Sequence, residues 1–208
     1  MNTWRIQRVG GIVAWALLSG VVVLVLTQKT LTERQDAFDV DARIAHRLLS
    51  QRAAQHDAVL ATLALSESSS HASAAEAVAP QGDPSGMRAL GAKLQLVYPQ
   101  ILAVERRAGS ARWGHDAAAF EQAELASTQL GRPVLTALDV KAGQYWLVHA
   151  AKPYSYALHI NALAMAPQAD WPLAPGSPVQ VVLDMEGQRV VLQAGNPLTS
   201  PWHFLAKK

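Results

Sequence analysis

The sequence contains no cysteine. That removes disulfides, thiol nucleophiles and every zinc site built on thiolate, and it leaves the redox compartment open. An excess of one charge sign is also missing. Eighteen Lys and Arg oppose sixteen Asp and Glu, a formal net charge of +2 dispersed along the chain. With no basic stripe of the kind that tracks phosphates, nucleic-acid binding is set aside. The seven histidines, at 46, 56, 71, 115, 149, 159 and 203, form no His-x-His, His-x-x-x-His or helical Glu-x-x-His arrangement, so no metal site is expected. There is no Gly-x-Ser-x-Gly elbow to present a serine nucleophile. Asp139, Asp184 and Glu186 fall at expected strand ends or turns, where carboxylates accept from backbone amides. The expectation is a protein that is not an enzyme and carries no cofactor.

Charge is wholly absent from residues 9–26, "VGGIVAWALLSGVVVLVL". As a helix these eighteen residues span about 27 Å, close to the hydrocarbon thickness of a bilayer. A secretory signal has a shorter apolar core and a small-x-small cleavage site, whereas this run ends in "VLTQKT". The expectation is an uncleaved transmembrane anchor over 9–28 in the lipid bilayer. Arg5 and Arg8 precede it, while Glu33, Asp36, Asp39 and Asp41 follow among fewer bases. The positive-inside rule then gives a cytoplasmic tail at 1–8 and places the remainder outside, in the periplasm of a bacterium, as a single-pass inner-membrane protein.

Proline and glycine are absent from Thr30 to Leu65, and the spacing of Leu31, Phe38, Ile44, Leu48, Leu49, Val59, Leu60 and Leu63 predicts a long helix over 30–65. The heptad through 31, 38, 45, 52 and 59 reads Leu, Phe, Ala, Arg, Val. Such an imperfect seam suits either a parallel homodimer or a single helix packed on its own domain. Ser, Ala, Pro and Gly dominate 66–86, which reads as a flexible loop. Asp83 and Pro84 then open a short helix with Met87, Leu90, Leu94 and Val97 on one stripe, stopped at Tyr98 and Pro99. Next come a strand at 101–107, a turn "AGS" and a brief return strand "ARW". A helix over 116–130 follows, capped by Asp116 and closed by Gly131 with Pro133 behind it. Strands are expected at "PVLTALD", "QYWLVHA" and "YSYALHI", then a hairpin "PVQVVLD-MEG-QRVVLQA" and a last strand in "PWHFLA". Helices ahead of short strands joined by tight turns indicate an α+β class, with the sheet antiparallel.

The long helix "DVDARIAHRLLSQRAAQHDAVLATLAL", the step "LQLVYPQILAVERR" and the stretch "GRPVLTALDVKAGQYWLVHAAKPYSYALHI" resemble the extracytoplasmic sensor region, of PAS-like or CACHE type, of bacterial membrane-bound sensor histidine kinases. The resemblance implies a PAS-like sensor domain over 87–206, set on a dimer-forming helix, in which a sheet cradles a small solute and ligand binding shifts the helices. The signalling half of that family is not present. No second apolar run, ATP-binding glycine motif or phospho-accepting His box follows, and His46 in "IAHRLL" lacks the box's acidic residue and proline. The chain is thus expected to be the input module of a two-component sensor with the kinase core missing. The alternative is a bitopic inner-membrane assembly protein of a pilus or secretion system, which combines the same tail, anchor, long helix and small α+β domain.

For the ligand, "QYWLVHAAKPYSYALH" concentrates aromatic and titratable side chains in a chain that is 6% aromatic. Alternation puts Tyr145, Leu147 and His149 on one face of a strand and Trp146 and Val148 on the other. One face must meet helices and the other is free to meet a ligand. Lys152, Tyr154, Tyr156 and His159 follow, with His149 and His159 close enough in the expected sheet to meet across it. Arg106, Arg107 and Trp113 are positioned to add a cationic edge that suits a carboxylate. The candidate ligand-binding set is Arg106, Trp113, Tyr145, His149, Lys152 and Tyr156. Each type is also an ordinary sheet former or solvated surface residue.

Overall fold

A computed structural model describes residues 3–73, 84–109, 111–114, 116–166 and 169–196, with the side chains of 3–14, 16, 67–73, 84 and 85 left aside. The protein is α+β, with a long N-terminal helix and an antiparallel sheet. It divides into two units, Met1–His46 and Arg47–Lys208. The Asp83 cap and the expected strand in "PWHFLA" lie outside the described residues, as do His115 and His203.

In the first unit the described backbone is helical throughout, as part of α1 (Thr3–Ser73). Several of its described polar side chains find partners one turn away. The Thr27 and Thr32 hydroxyls donate to the carbonyls of Val23 and Gln28 one turn back, and Lys29 sits 3.9 Å from Glu33. Its apolar side chains are not covered. Val21 through Leu26 are all exposed, and consecutive residues about 100° apart sweep every face of a helix. Among the described residues no helix is long and apolar enough to cross a membrane. The side chains of residues 9–14 and 16, the first part of the run expected to do so, lie outside the described residues.

The second unit is built around a four-stranded sheet of β1 (Ile101–Ala108), β4 (Tyr154–Asn161), β3 (Gln144–His149) and β2 (Val134–Asp139), in that spatial order. All three pairings are antiparallel. Alternation sorts the side chains as expected. Tyr145, Tyr156, Leu158 and Ile160 enter one core with Ile101, Val104 and Leu60 of α1, while Trp146, Val148 and Ala157 enter a second with Trp113, Phe120 and Ala123. The second cluster is aromatic: Phe120 lies 5.3 Å from both Trp113 and Trp146, ring centre to ring centre. Its helix, α3 (Ala117–Leu130), ends as its sequence requires, with Gly131 in the left-handed conformation (φ 64°) and its N–H donating to the Ser127 carbonyl. Asp116 precedes the helix but makes no side-chain cap bond.

Helix α2 (Pro84–Val97) packs on β1. Its closest approach is Gly91, where a Cβ would lie 3.5 Å from the Val104 amide nitrogen. The stripe expected on this helix therefore stops short of Val97, which is 68% exposed, and centres on a glycine that periodicity of large side chains does not reveal. A separate hairpin, β5 (Val181–Met185) with β6 (Gln188–Gln193), closes the first core through Met185, Val190 and Leu192. Its two-residue turn has Glu186 and Gly187 both at positive φ (53° and 78°), which matches the right-handed twist of the strands it joins.

Three expectations are corrected. Helix α1 extends to Ser73, through the Ser-rich start of the segment read as a loop, because Ser and Ala without proline leave a helix free to continue. Residues 111–113 form no return strand, because the ladder partner of β1 is β4, and Trp113 turns inward onto Phe120. Among the described residues both faces of the sheet carry a packed core, one shared with Leu60 of α1 and the other with Phe120 and Ala123 of α3, so neither is a bare ligand face.

The β2–β3 turn shows how tightly the sheet is closed. Asp139 accepts from the amides of Lys141 and Ala142, and the Gly143 carbonyl accepts from Ala162 at 2.7 Å. Gly143 sits at φ 63°, and a Cβ there would lie 2.6 Å from the Leu163 side chain. Gly143→Ala is expected to cost about 1–2 kcal/mol, read as a lowered urea midpoint at unchanged slope.

Candidate functional site

The six residues singled out from the sequence do not converge. Arg106, Tyr156 and His149 form one cross-strand row, since Arg106 pairs with Tyr156 on one side and His149 pairs with it on the other. Tyr145 lies on the same face four residues before His149, and all four therefore face the α1 side. Tyr145 and Tyr156 are core residues, 5% and 1% exposed, while Arg106 lies over the Tyr154 ring at 4.5 Å. Trp113 is buried on the opposite face. Lys152 is exposed in the β3–β4 connection. His149 and His159 do not meet, because His159 pairs with Trp146 and stacks on it at 4.5 Å on the α3 side.

On the α1 side, burial governs the titrating groups. It pushes His56 down to about 4 and Tyr145 up to about 12, the latter helped by the nearby Asp57 charge. Burial also lowers His149, against the opposing pull of Asp57. It raises Asp57, against His149 and Arg132. Neither ring nitrogen of His56 has a hydrogen-bond partner among the described residues. On this side Tyr145 and Tyr156 belong to the packed core.

The α3 side carries a polar centre that sequence reading missed. Glu124, on α3, accepts from Arg107 Nη2 at 2.6 Å and from the Ser155 hydroxyl at 2.5 Å through one oxygen, and from Trp113 Nε1 at 3.3 Å through the other. The Arg107 and Glu124 side chains are only 17% and 15% exposed. The Arg107 guanidinium also lies 5.8 Å from the centre of the Trp113 ring. Strand alternation separates the two neighbouring arginines: Arg106 goes to the tyrosine face, Arg107 to the carboxylate. One turn further along α3, Ser127 donates to the Arg132 carbonyl and accepts from the Ala150 amide, tying the helix end to the end of β3.

Beside this network lies an open cleft of about 460 Å³, lined by Glu124, Ser127, Thr128, Lys152 and Ser155 together with Gly109, Gly131 and the 150–153 backbone. Its size falls within the range of small-molecule sites. Of the sequence candidates only Lys152 lines it. Glu124 is already committed to three donors, so the cleft offers an ammonium and hydroxyls rather than a free carboxylate. Among the described residues no group of three His, Cys, Asp or Glu side chains is placed to hold a metal ion.

No family model, curated protein or solved structure matches this chain.

Proposed function

We propose that this chain is the membrane-anchored, extracytoplasmic input module of a sensor histidine kinase, PAS-like in its sheet, and that the cleft beside Lys152 takes its solute. The observation that carries the reading is the inequality of the two sheet faces. On the α1 face the sequence candidates Tyr145 and Tyr156 are packed into the core, whereas the α3 side keeps an open polar cleft beside a buried ion pair. Ser155, which lines the cleft, adjoins Tyr156, which shares a core with Leu60 of α1. A solute that repositions β4 thereby changes the packing of α1, by no more than its differential affinity for the two packings. The uncharged run at 9–26 and the uncovered apolar side chains at 21–26 support an anchor in lipid with the N-terminus in the cytoplasm. The exposed Leu31, Phe38 and Ile44 support a homodimer through α1.

Those same exposed positions favour a second reading, a bitopic assembly protein that presents α1 to a partner. One experiment separates the two. The full chain in detergent micelles is screened by thermal unfolding against small organic acids, amino acids and sugars. The sensor reading expects at least one solute to raise the midpoint by several degrees near saturation, because about 100 Kd of ligand contributes about 2.7 kcal/mol. Lys152→Glu is expected to abolish that shift. A flat response across the panel, or a shift indifferent to Lys152→Glu, removes the sensor reading and leaves the assembly one.

A further inference from the structure

A second cleft, of about 210 Å³, lies between residues 48–55 of α1, the α2–β1 junction and Asp170. At its base is Arg52, whose side chain is 7% exposed and donates to Asp170 Oδ1 at 2.9 Å. Arginine does not lose its proton in proteins, and a guanidinium held out of water must be compensated. The compensation is unequally held. Arg52 is fixed in a helix and buried, whereas Asp170 arrives from 118 residues away, on the connection leading toward β5, and keeps 55% of its side chain in solvent. The remaining polar lining is uncharged: the amides of Gln51, Gln55 and Gln100, and Tyr98. Gln100 is itself only 2% exposed. Among the described residues that line the cleft, Asp170 is the one anionic group, beside hydrogen-bonding neutrals and the Arg52 cation.

We propose that this cleft binds a small oxyanion, which takes the place of the Asp170 carboxylate on Arg52. A guanidinium presents a planar fork of donors to two oxygens, and an incoming carboxylate, phosphate or sulfate satisfies it as the Asp170 carboxylate does. The volume holds about seven waters at ~30 Å³ each, which admits a small acid or an inorganic oxyanion. The exchange releases Asp170 and the chain beside it from α1 while leaving Arg52 neutralised. The site is separate from the Lys152 cleft, and it stands whether or not the sensor reading does.

The test uses the full chain in detergent micelles, titrated with sodium acetate, phosphate or sulfate against sodium chloride at matched ionic strength. Thermal unfolding and calorimetric titration are both followed. Asp170→Asn is expected to unfold at lower temperature than the wild type and to regain that loss as an oxyanion is added. It is also expected to bind the anion more tightly, about tenfold for a tethered competitor that leaves the site open about a tenth of the time. Arg52→Gln combined with Asp170→Asn is expected to show neither binding nor rescue, which separates site binding from general salting effects. A response to acetate alone identifies a carboxylate site, and a response to phosphate or sulfate a tetrahedral one. Equal affinity in wild type and Asp170→Asn, equal rescue by chloride, or rescue that persists in the double variant overturns the proposal.

Discussion

Replacing Glu124 with alanine is expected to destabilise the protein by about 3 kcal/mol, the low end of the range for breaking a buried ion pair, because both partners keep some contact with water. The loss has three sources in the geometry. Arg107 is left as an uncompensated cation at 17% exposure, the Ser155 hydroxyl loses an acceptor at 2.5 Å, and Trp113 Nε1 loses its own. Each buried donor left unpaired forfeits its solvation in water without a return. Glu124→Gln keeps an acceptor for one of these donors and is expected to cost less. The companion variant Arg107→Met/Glu124→Leu removes both charges and is expected to recover much of the loss, since an apolar pair of similar volume often equals or exceeds a buried ion pair. Urea unfolding of the wild type, Arg107→Met, Glu124→Leu and the double variant closes a double-mutant cycle, and additivity of the two single changes would show that the pair does not act as a unit.

The second large effect is a pH dependence centred on His56. This side chain is fully buried, both its nitrogens are unpartnered among the described residues, and burial holds it at about 4 against an ordinary 6.5. The unfolded chain therefore takes up a proton first as the pH falls. Between about 6.5 and 4 the unfolded state is favoured progressively, and below 4 the full penalty of about 3 kcal/mol is reached, at about 1.36 kcal/mol per unit of separation. Above 6.5 His56 is neutral in both states and contributes no slope. His149 is lowered as well and adds in the same direction, while the raised Asp57 opposes both. His56→Leu is expected to flatten the profile over this window. It is also expected to raise stability at neutral pH by about 1–2 kcal/mol, by removing an unsatisfied polar group from the core. Parallel slopes for variant and wild type between pH 4 and 7 would contradict the assignment.

Sequence carried the elements further than it carried the site, and the reason is separation along the chain. Alternation in "QYWLVH" and "YSYALHI" gave the partition of Tyr145 and Trp146, because side-chain direction in a strand is a local property. The end of α3 at Gly131 was legible for the same reason. The helical continuation to Ser73 was obscured by serine, whose weak local preference is readily overridden. The polar constellations depend on partners that meet only after folding. Glu124 finds Arg107 at a separation of 17 residues and Ser155 at 31, and Arg52 finds Asp170 at 118. None of these pairs has a spacing motif. The aromatic density that pointed to a ligand belongs instead to the two cores: it marked where the sheet is thickest, and the cleft sits at its rim.

The flanks of that sheet have a bearing on solubility. Strand β2 leaves regular pairing between Thr136 and Asp139, with Ala137 at φ 49°, and so offers no straight row of amides and carbonyls to a passing chain. At the other border β1 bears Glu105 and Arg106 in succession, so a strand from a second molecule would have to bring its backbone beside charged side chains. Kinking guards one margin and charge the other, which discourages growth of the sheet from molecule to molecule at high local concentration.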